Sequence, residues 1–234
     1  MALWGCCASR SYRLRSASFL LVAALIDPHI APAQFSQPVT FGNPAFQGTT
    51  SFADMDGDGD MDLLVTGVSG ATQRLALYRN DGGGSFTVAN FGTGVYNSSL
   101  SVGDLDGDGD LDLLATGNNG PNRLDRYVND GTGTFAQTAF GTGVVLSSSV
   151  LGDIDLDGDL DLITTGNTNS AVSGVTLRRY LNNGAGTFSS PTVFGTALHQ
   201  GSMSAADLDG DGDLDFVVTG LDVGSVRRTM RYMN

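Results

Sequence analysis

Neither glutamate nor lysine occurs in the 234 residues: every acid is Asp and every base is Arg. Glu and Lys are good helix formers, whereas Asp and Gly are poor ones, and Gly alone supplies 33 residues. A helical bundle is therefore excluded on composition. So is any site that needs a Glu or Lys. Cysteine is confined to Cys6 and Cys7. The apolar run from Phe19 to Ile26 is eight residues long, far short of the ~20 that span a bilayer, so no membrane span is expected. A formal charge of −13 usually marks a solvated tail, but hydrophobic residues reach 41% and charged residues only 16%. What remains is a Gly-rich, all-β globular chain whose acid is concentrated locally.

Residues 1–33 read as a secretory signal peptide: Arg10, Arg13 and Arg15, a short apolar run, then Ala31-Pro32-Ala33 as the cleavage site. The expected location is secreted, extracellular. Cleavage after Ala33 removes both cysteines and His29, leaving His199 as the sole histidine. An exported chain without disulfides needs another source of stability.

Residues 34–234 hold four repeats, in units starting near 43, 93, 142 and 196. The stretches DMDGDGDMDLLVTG, DLDGDGDLDLLATG, DIDLDGDLDLITTG and DLDGDGDLDFVVTG begin at Asp54, Asp104, Asp153 and Asp207. An FG pair starts 13 residues before each first Asp, at Phe41, Phe91, Phe140 and Phe194. A Tyr-x-Asn follows at Tyr78, Tyr127, Tyr180 and Tyr232. Each unit reads as four short strands, which at this period is the pattern of a β-propeller blade. The first strand ends at the Asp loop, the second leaves it, the third runs to the Tyr, and the fourth follows a Gly-rich turn. Phe35 to Gly42 matches the fourth strand Phe188 to Gly195, while the sequence ends at Asn234 after a third strand. A ring closed by pairing the N-terminal strand with the C-terminal blade fits both ends. Pairing of two chains, as a homodimer, or a piece of a longer array are the alternatives.

Twenty of the 25 Asp lie in the four loops. Carboxylates packed this closely repel unless a cation sits among them, and hard oxygen ligands in loose geometry suit Ca²⁺. In D-x-D-x-D-G-x-x-D, positions 1, 3 and 5 point inward, Gly at position 6 makes the turn, position 7 offers its carbonyl and position 9 closes the shell. The expected ligands are Asp54, Asp56, Asp58 and Asp62 with the carbonyl of Asp60, and then Asp104, Asp106, Asp108 and Asp112 with Asp110. The third set is Asp153, Asp155, Asp157 and Asp161 with Asp159, and the fourth Asp207, Asp209, Asp211 and Asp215 with Asp213. About four Ca²⁺ are expected. Leu156 stands where the other loops have Gly, so the third loop should differ slightly. An EF-hand is excluded, because its position 12 falls on Val65, Ala115, Thr164 and Val218 and no Glu is available.

With its recurring FG, the D-x-D-G-D-G-x-x-D-L loop resembles the FG-GAP (VCBS) repeat of integrin α-subunit propellers and many secreted microbial proteins. The resemblance implies a β-propeller with Ca²⁺ between first and second strands. Four units stand where integrins have seven, and no Gly-Ala-Pro follows the Phe-Gly.

Catalysis has little to work with. Cys and Lys nucleophiles are missing after residue 33, and His199 has no Ser/Asp partner by spacing. The expectation is a non-catalytic binding or adhesion module with structural Ca²⁺ and an extracellular protein or glycan partner. Net charge and export disfavour nucleic acid. A carbohydrate-binding, lectin-like propeller is the first alternative. Its candidate residues are the ring–amide pairs Phe46-Gln47, Tyr96-Asn97 and His199-Gln200, suited to stacking on a sugar while bonding its hydroxyls, or else to capping the core. A Ca²⁺-dependent polysaccharide-acting enzyme, or a fragment of a larger repeat protein, is the second.

Overall fold

The computed structural model describes residue 42, residues 45–168 and residues 174–234. Among them, strands form four antiparallel sheets, one per repeat. The first unit holds β1 (Phe46–Ala53), β2 (Asp62–Ser69), β3 (Thr72–Asn80) and β4 (Phe86–Asn90). The second holds β5 (Tyr96–Gly103), β6 (Asp112–Asn118), β7 (Asn122–Asn129) and β8 (Phe135–Ala139). The third holds β9 (Val145–Gly152), β10 (Asp161–Asn167), β11 (Val175–Tyr180) and β12 (Thr192–Val193). The fourth holds β13 (Met203–Ala206), β14 (Asp215–Leu221) and β15 (Arg227–Tyr232). Each sheet runs in chain order, the meander expected of a blade. The completing strand expected at Phe35 to Phe41 lies outside the described residues, as does most of the loop from Asn167 to Ser173.

Two boundaries depart from expectation. In the first three units the first strand starts at Phe46, Tyr96 and Val145, because a β-bulge carries the pairing past a register shift. The third unit's outer strand shrinks to Thr192–Val193. Pro191 immediately before it has no N–H for the ladder, and the Ser189 hydroxyl takes up the Leu181 N–H instead.

Second strands are buried on both faces, which accounts for their unbroken apolar runs, such as Leu63 to Val65. First strands are rich in Ser and Thr because they meet one another through hydroxyls. Thr49 Oγ1 donates to Ser98 O at 2.7 Å, Ser101 and Ser149 share an Oγ–Oγ bond of 2.7 Å, and Met203 N–H donates to Ser148 Oγ at 2.9 Å.

Three further contacts join each unit to the next, and each uses a recurring residue. The FG glycines Gly42, Gly92, Gly141 and Gly195 have φ of 60–69°, and a Cβ on any of them would land within 2.9 Å of the ring of Tyr78, Tyr127, Tyr180 or Tyr232. The FG phenylalanine meets the same ring edge-on: Phe91–Tyr127, Phe140–Tyr180 and Phe194–Tyr232 have centroids 5.6, 5.9 and 6.2 Å apart. At the second contact, the Thr of the first three TG pairs bonds the residue ahead of the next first strand through both its backbone groups. Thr66 donates to Val95 O at 2.7 Å and accepts from Val95 N at 3.1 Å; Thr116 and Val144, and Thr165 and Leu198, repeat the pair. Third comes the Asn of Tyr-x-Asn. Its amide reaches back to the loop of the preceding unit: Asn129 Nδ2 to Met55 O, 2.8 Å; Asn182 to Leu105 O, 2.8 Å; Asn234 to Ile154 O, 2.7 Å.

Arginines on third strands also serve these junctions, with Arg79 donating to Thr132 O at 2.7 Å, or pair locally, as Arg123 does with Asp125. Asn129 also donates to Leu111 O and accepts from Gly133 N–H, all within the buried junction. Asn129→Ala leaves those groups without partners and should cost about 2 kcal/mol or more, roughly 5 °C in melting temperature. The more exposed Asn80→Ala should cost less, with thermal denaturation followed by circular dichroism as the measurement.

Candidate metal centre

Each Asp loop is built around its first and last carboxylates. Asp54 Oδ1 accepts the Gly57 N–H and Oδ2 the Gly59 N–H, both at 2.9 Å, folding the loop back over itself. Asp104 and Asp207 repeat both bonds, with Gly107 and Gly109 and with Gly210 and Gly212. At position 5, Asp58 Oδ1 accepts the Asp60 N–H at 2.9 Å, and Asp108, Asp157 and Asp211 do the same with Asp110, Asp159 and Asp213. The position-6 glycines Gly59, Gly109, Gly158 and Gly212 lie at φ of 94–97°, a region closed to ordinary side chains.

The third loop differs as expected. Leu156 occupies φ +63° where Gly57, Gly107 and Gly210 take 72–83°. Left-handed backbone costs a non-glycine residue about 1–2 kcal/mol. Asp153 keeps its bond from Gly158 N–H, but its Oδ1 is buried without a hydrogen-bond partner.

The last Asp of each loop is buried and bonded twice to the backbone. Asp62 accepts Met55 N–H at 3.0 Å and Asn80 N–H at 2.8 Å. Asp112, Asp161 and Asp215 accept the equivalent pairs from Leu105 and Asn129, Ile154 and Asn182, and Leu208 and Asn234. The two ends of the loop are thereby tied to the end of the third strand. The position-7 side chains Asp60, Asp110 and Asp159 lean out of the loop against Gly82, Gly131 and Gly184.

Carboxylate oxygens converge in every loop. Asp54, Asp56 and Asp58, then Asp104, Asp106 and Asp108, then Asp153, Asp155 and Asp157 each bring one oxygen within 4.8 Å of the others. In the fourth loop the converging set is Asp207, Asp209 and Asp215. Asp56 Oδ1 and Asp106 Oδ1 are buried with no partner among the described residues. Burial is costly for an unpaired carboxylate oxygen, and a hard cation is the partner that fits an all-oxygen set of this kind.

The sugar-site candidates lie at the other end of the first strands. Phe46 is exposed, Tyr96 half-buried and His199 buried, its backbone bridged to Leu221. Gln47, Asn97 and Gln200 share a positive φ of 48–56° with Leu146, all in the bulge. Asn is the ordinary side chain that tolerates this region best, so backbone geometry gives a reason for Asn97 apart from any ligand. Sequence comparison showed that the Tyr-x-Asn asparagines and the TG threonines recur, yet assigned neither a role. The structure places them at every junction.

Burial holds the Asp112 carboxyl up to about 6, with Asp106 and Asp108 adding repulsion against two opposing backbone hydrogen bonds. Burial also raises Asp161 and Asp56, again with neighbouring carboxylates contributing. These carboxyls stay protonated to higher pH in the folded, metal-free loop than in the unfolded chain, so protonation stabilises that form. With chelator present, the melting temperature should therefore fall as pH rises through about 6. A bound cation favours the carboxylates, so with Ca²⁺ the melting temperature should hold steady through that window and fall only as pH drops toward the unfolded carboxylate range near ~4. Parallel melts across that range distinguish the two trends.

A family model described as FG-GAP-like repeat matches residues 54–115, 104–164 and 153–218. Searched against curated proteins, the chain finds no match. The matched segments run from the first Asp loop to the fourth, across the sheets and junctions described above. The chain belongs to the FG-GAP-like repeat family.

Proposed function

We propose that the chain is a secreted, non-catalytic binding or adhesion module whose Asp loops each hold one structural Ca²⁺. The observation carrying this reading is the convergence of three carboxylates in every loop, with buried, unpartnered oxygens at Asp56 and Asp106. Positions 1, 3, 5 and 9 supply the side-chain ligands, with the position-7 carbonyl completing each shell. The loops stand at the junctions: in the first three units the residue after the first Asp, such as Met55, is buried under the following unit. A metal that fixes the loop therefore also fixes the seam between units.

Extracellular modules commonly bind Ca²⁺ with dissociation constants of ~10⁻⁴ M, and at ~1 mM ion each such site adds about 1.4 kcal/mol. Four sites give about 6 kcal/mol, comparable to the whole stability of an ordinary domain. With the catalytic repertoire so poor, function falls to the surface, and an extracellular protein or glycan is the partner class. The exposed Phe46 ring beside Gln47 is what favours glycan among these.

Native mass spectrometry in Ca²⁺ should show about four ions per chain, and EDTA should lower the melting temperature steeply. A melt unchanged by EDTA overturns the structural role of the metal. Binding on a glycan array that is lost in Tyr96→Ala supports the lectin form of the reading; protein ligands alone support the adhesin form.

A further inference from the structure

The three junctions within the chain are made from the same pairs of parts, and the outer faces of the first and fourth units each present one half of such a pair. On the trailing face of a unit, the residue after the first loop Asp is a knob covered by the next unit. Met55, Leu105 and Ile154 are 1, 1 and 9% exposed, but Leu208 is 46% exposed. Ala53, Gly103 and Gly152 at the end of the first strand are likewise buried under the next unit, where Leu160 and Leu214 reach Gly103 and Gly152. Ala206, their counterpart, is exposed. Thr66, Thr116 and Thr165 are buried and bonded to the next unit, whereas Thr219 is exposed and bonds only Ser202 of its own unit.

The leading face of the first unit carries the other halves. Leu111, Leu160 and Leu214 are partly buried against the preceding unit, but Met61 is 61% exposed. Ala45, equivalent to the Val95, Val144 and Leu198 that hold the threonine hydroxyls, is exposed. Asn80 donates to Met61 O in its own unit, whereas Asn129, Asn182 and Asn234 reach the preceding unit's loop. Both faces are uncovered in the same folded chain, and they match position by position: Met61 to Ala206, Asn80 to the Leu208 carbonyl, Ala45 to Thr219.

We infer that the trailing face of the fourth unit docks the leading face of the first unit of a second copy of this chain, head to tail. Two such chains make two identical junctions, a closed pair that leaves neither face exposed. The mismatched alternative, an apolar surface left in water on both ends of one chain, is the arrangement that soluble proteins avoid.

Light scattering coupled to size exclusion, with the full chain in Ca²⁺ over a concentration series, tests this directly. The expected mass is twice that of one chain. Met61→Asp and Leu208→Asp should each abolish the pair, while Val193→Asp, on the exposed outer strand of the third unit, should leave it intact. Because the two faces differ, mixing the Met61→Asp and Leu208→Asp chains leaves one sound junction, and a two-chain species should reappear. That recovery also shows that both variants fold. A single-chain mass throughout the series overturns the inference; if Met61→Asp and Leu208→Asp then lower the melt by no more together than singly, the two faces close on each other within one chain. A mass that keeps rising with concentration also overturns it, since it means an open array.

Discussion

A carboxylate with both oxygens committed to the backbone organises each repeat. The last Asp of every loop is buried at the root of the second strand, where it takes one N–H from the loop and one from the residue ending the third strand. No other side chain of comparable length could reach both with so little freedom to lose. The bonds fix the loop's path, and the path places the residue after the first Asp under the neighbouring unit. Sheet, loop and junction are thus consequences of one buried charge. The burial that makes the arrangement rigid also raises the charge's energy, a cost that a cation among the loop carboxylates would offset.

The geometry of that loop accounts for the composition. Asp is chosen over Glu because a one-carbon stem keeps the carboxylate within reach of N–H groups three and five residues away, as Asp54 does with Gly57 and Gly59. A tight turn of this kind needs short acids and glycine, and four copies of it set the overall charge. The arginines answer in kind on third strands, where Arg79 bonds the Thr132 carbonyl of the following unit and Arg178 the Thr142 carbonyl ahead of its own first strand.

Much of the fold was legible because its local rules repeat. The Asp spacing located the loops, and the alternation of apolar runs with Gly-rich turns located the strands between them. The change at Leu156 was legible too, since one side chain replaces Gly at a left-handed position. The junction residues were harder to read. Asn129, Thr66 and the FG glycines recur visibly, but recurrence records that a position matters, not which neighbour it meets 30 to 80 residues away. The amide at Asn97 looked like a ligand group in sequence, and the backbone supplies another reason for it: a bulge that bends through positive φ. Pro191 was visible as well, yet its effect on strand length depended on which hydrogen bonds its neighbours had to spare.

The contacts that join one unit to the next are scattered through the repeat: FG at one end, the TG threonine in the middle, the asparagine beyond it. No single cut therefore separates a unit from its junction. A duplicated segment of one period, begun at any phase, carries a full set of both halves, so a tandem copy arrives already able to seat itself between its neighbours. Gene duplication can lengthen such an array by whole steps without inventing a new interface. Drift in one copy is then checked only by the two copies beside it, which is the latitude that a residue such as Leu156 has used.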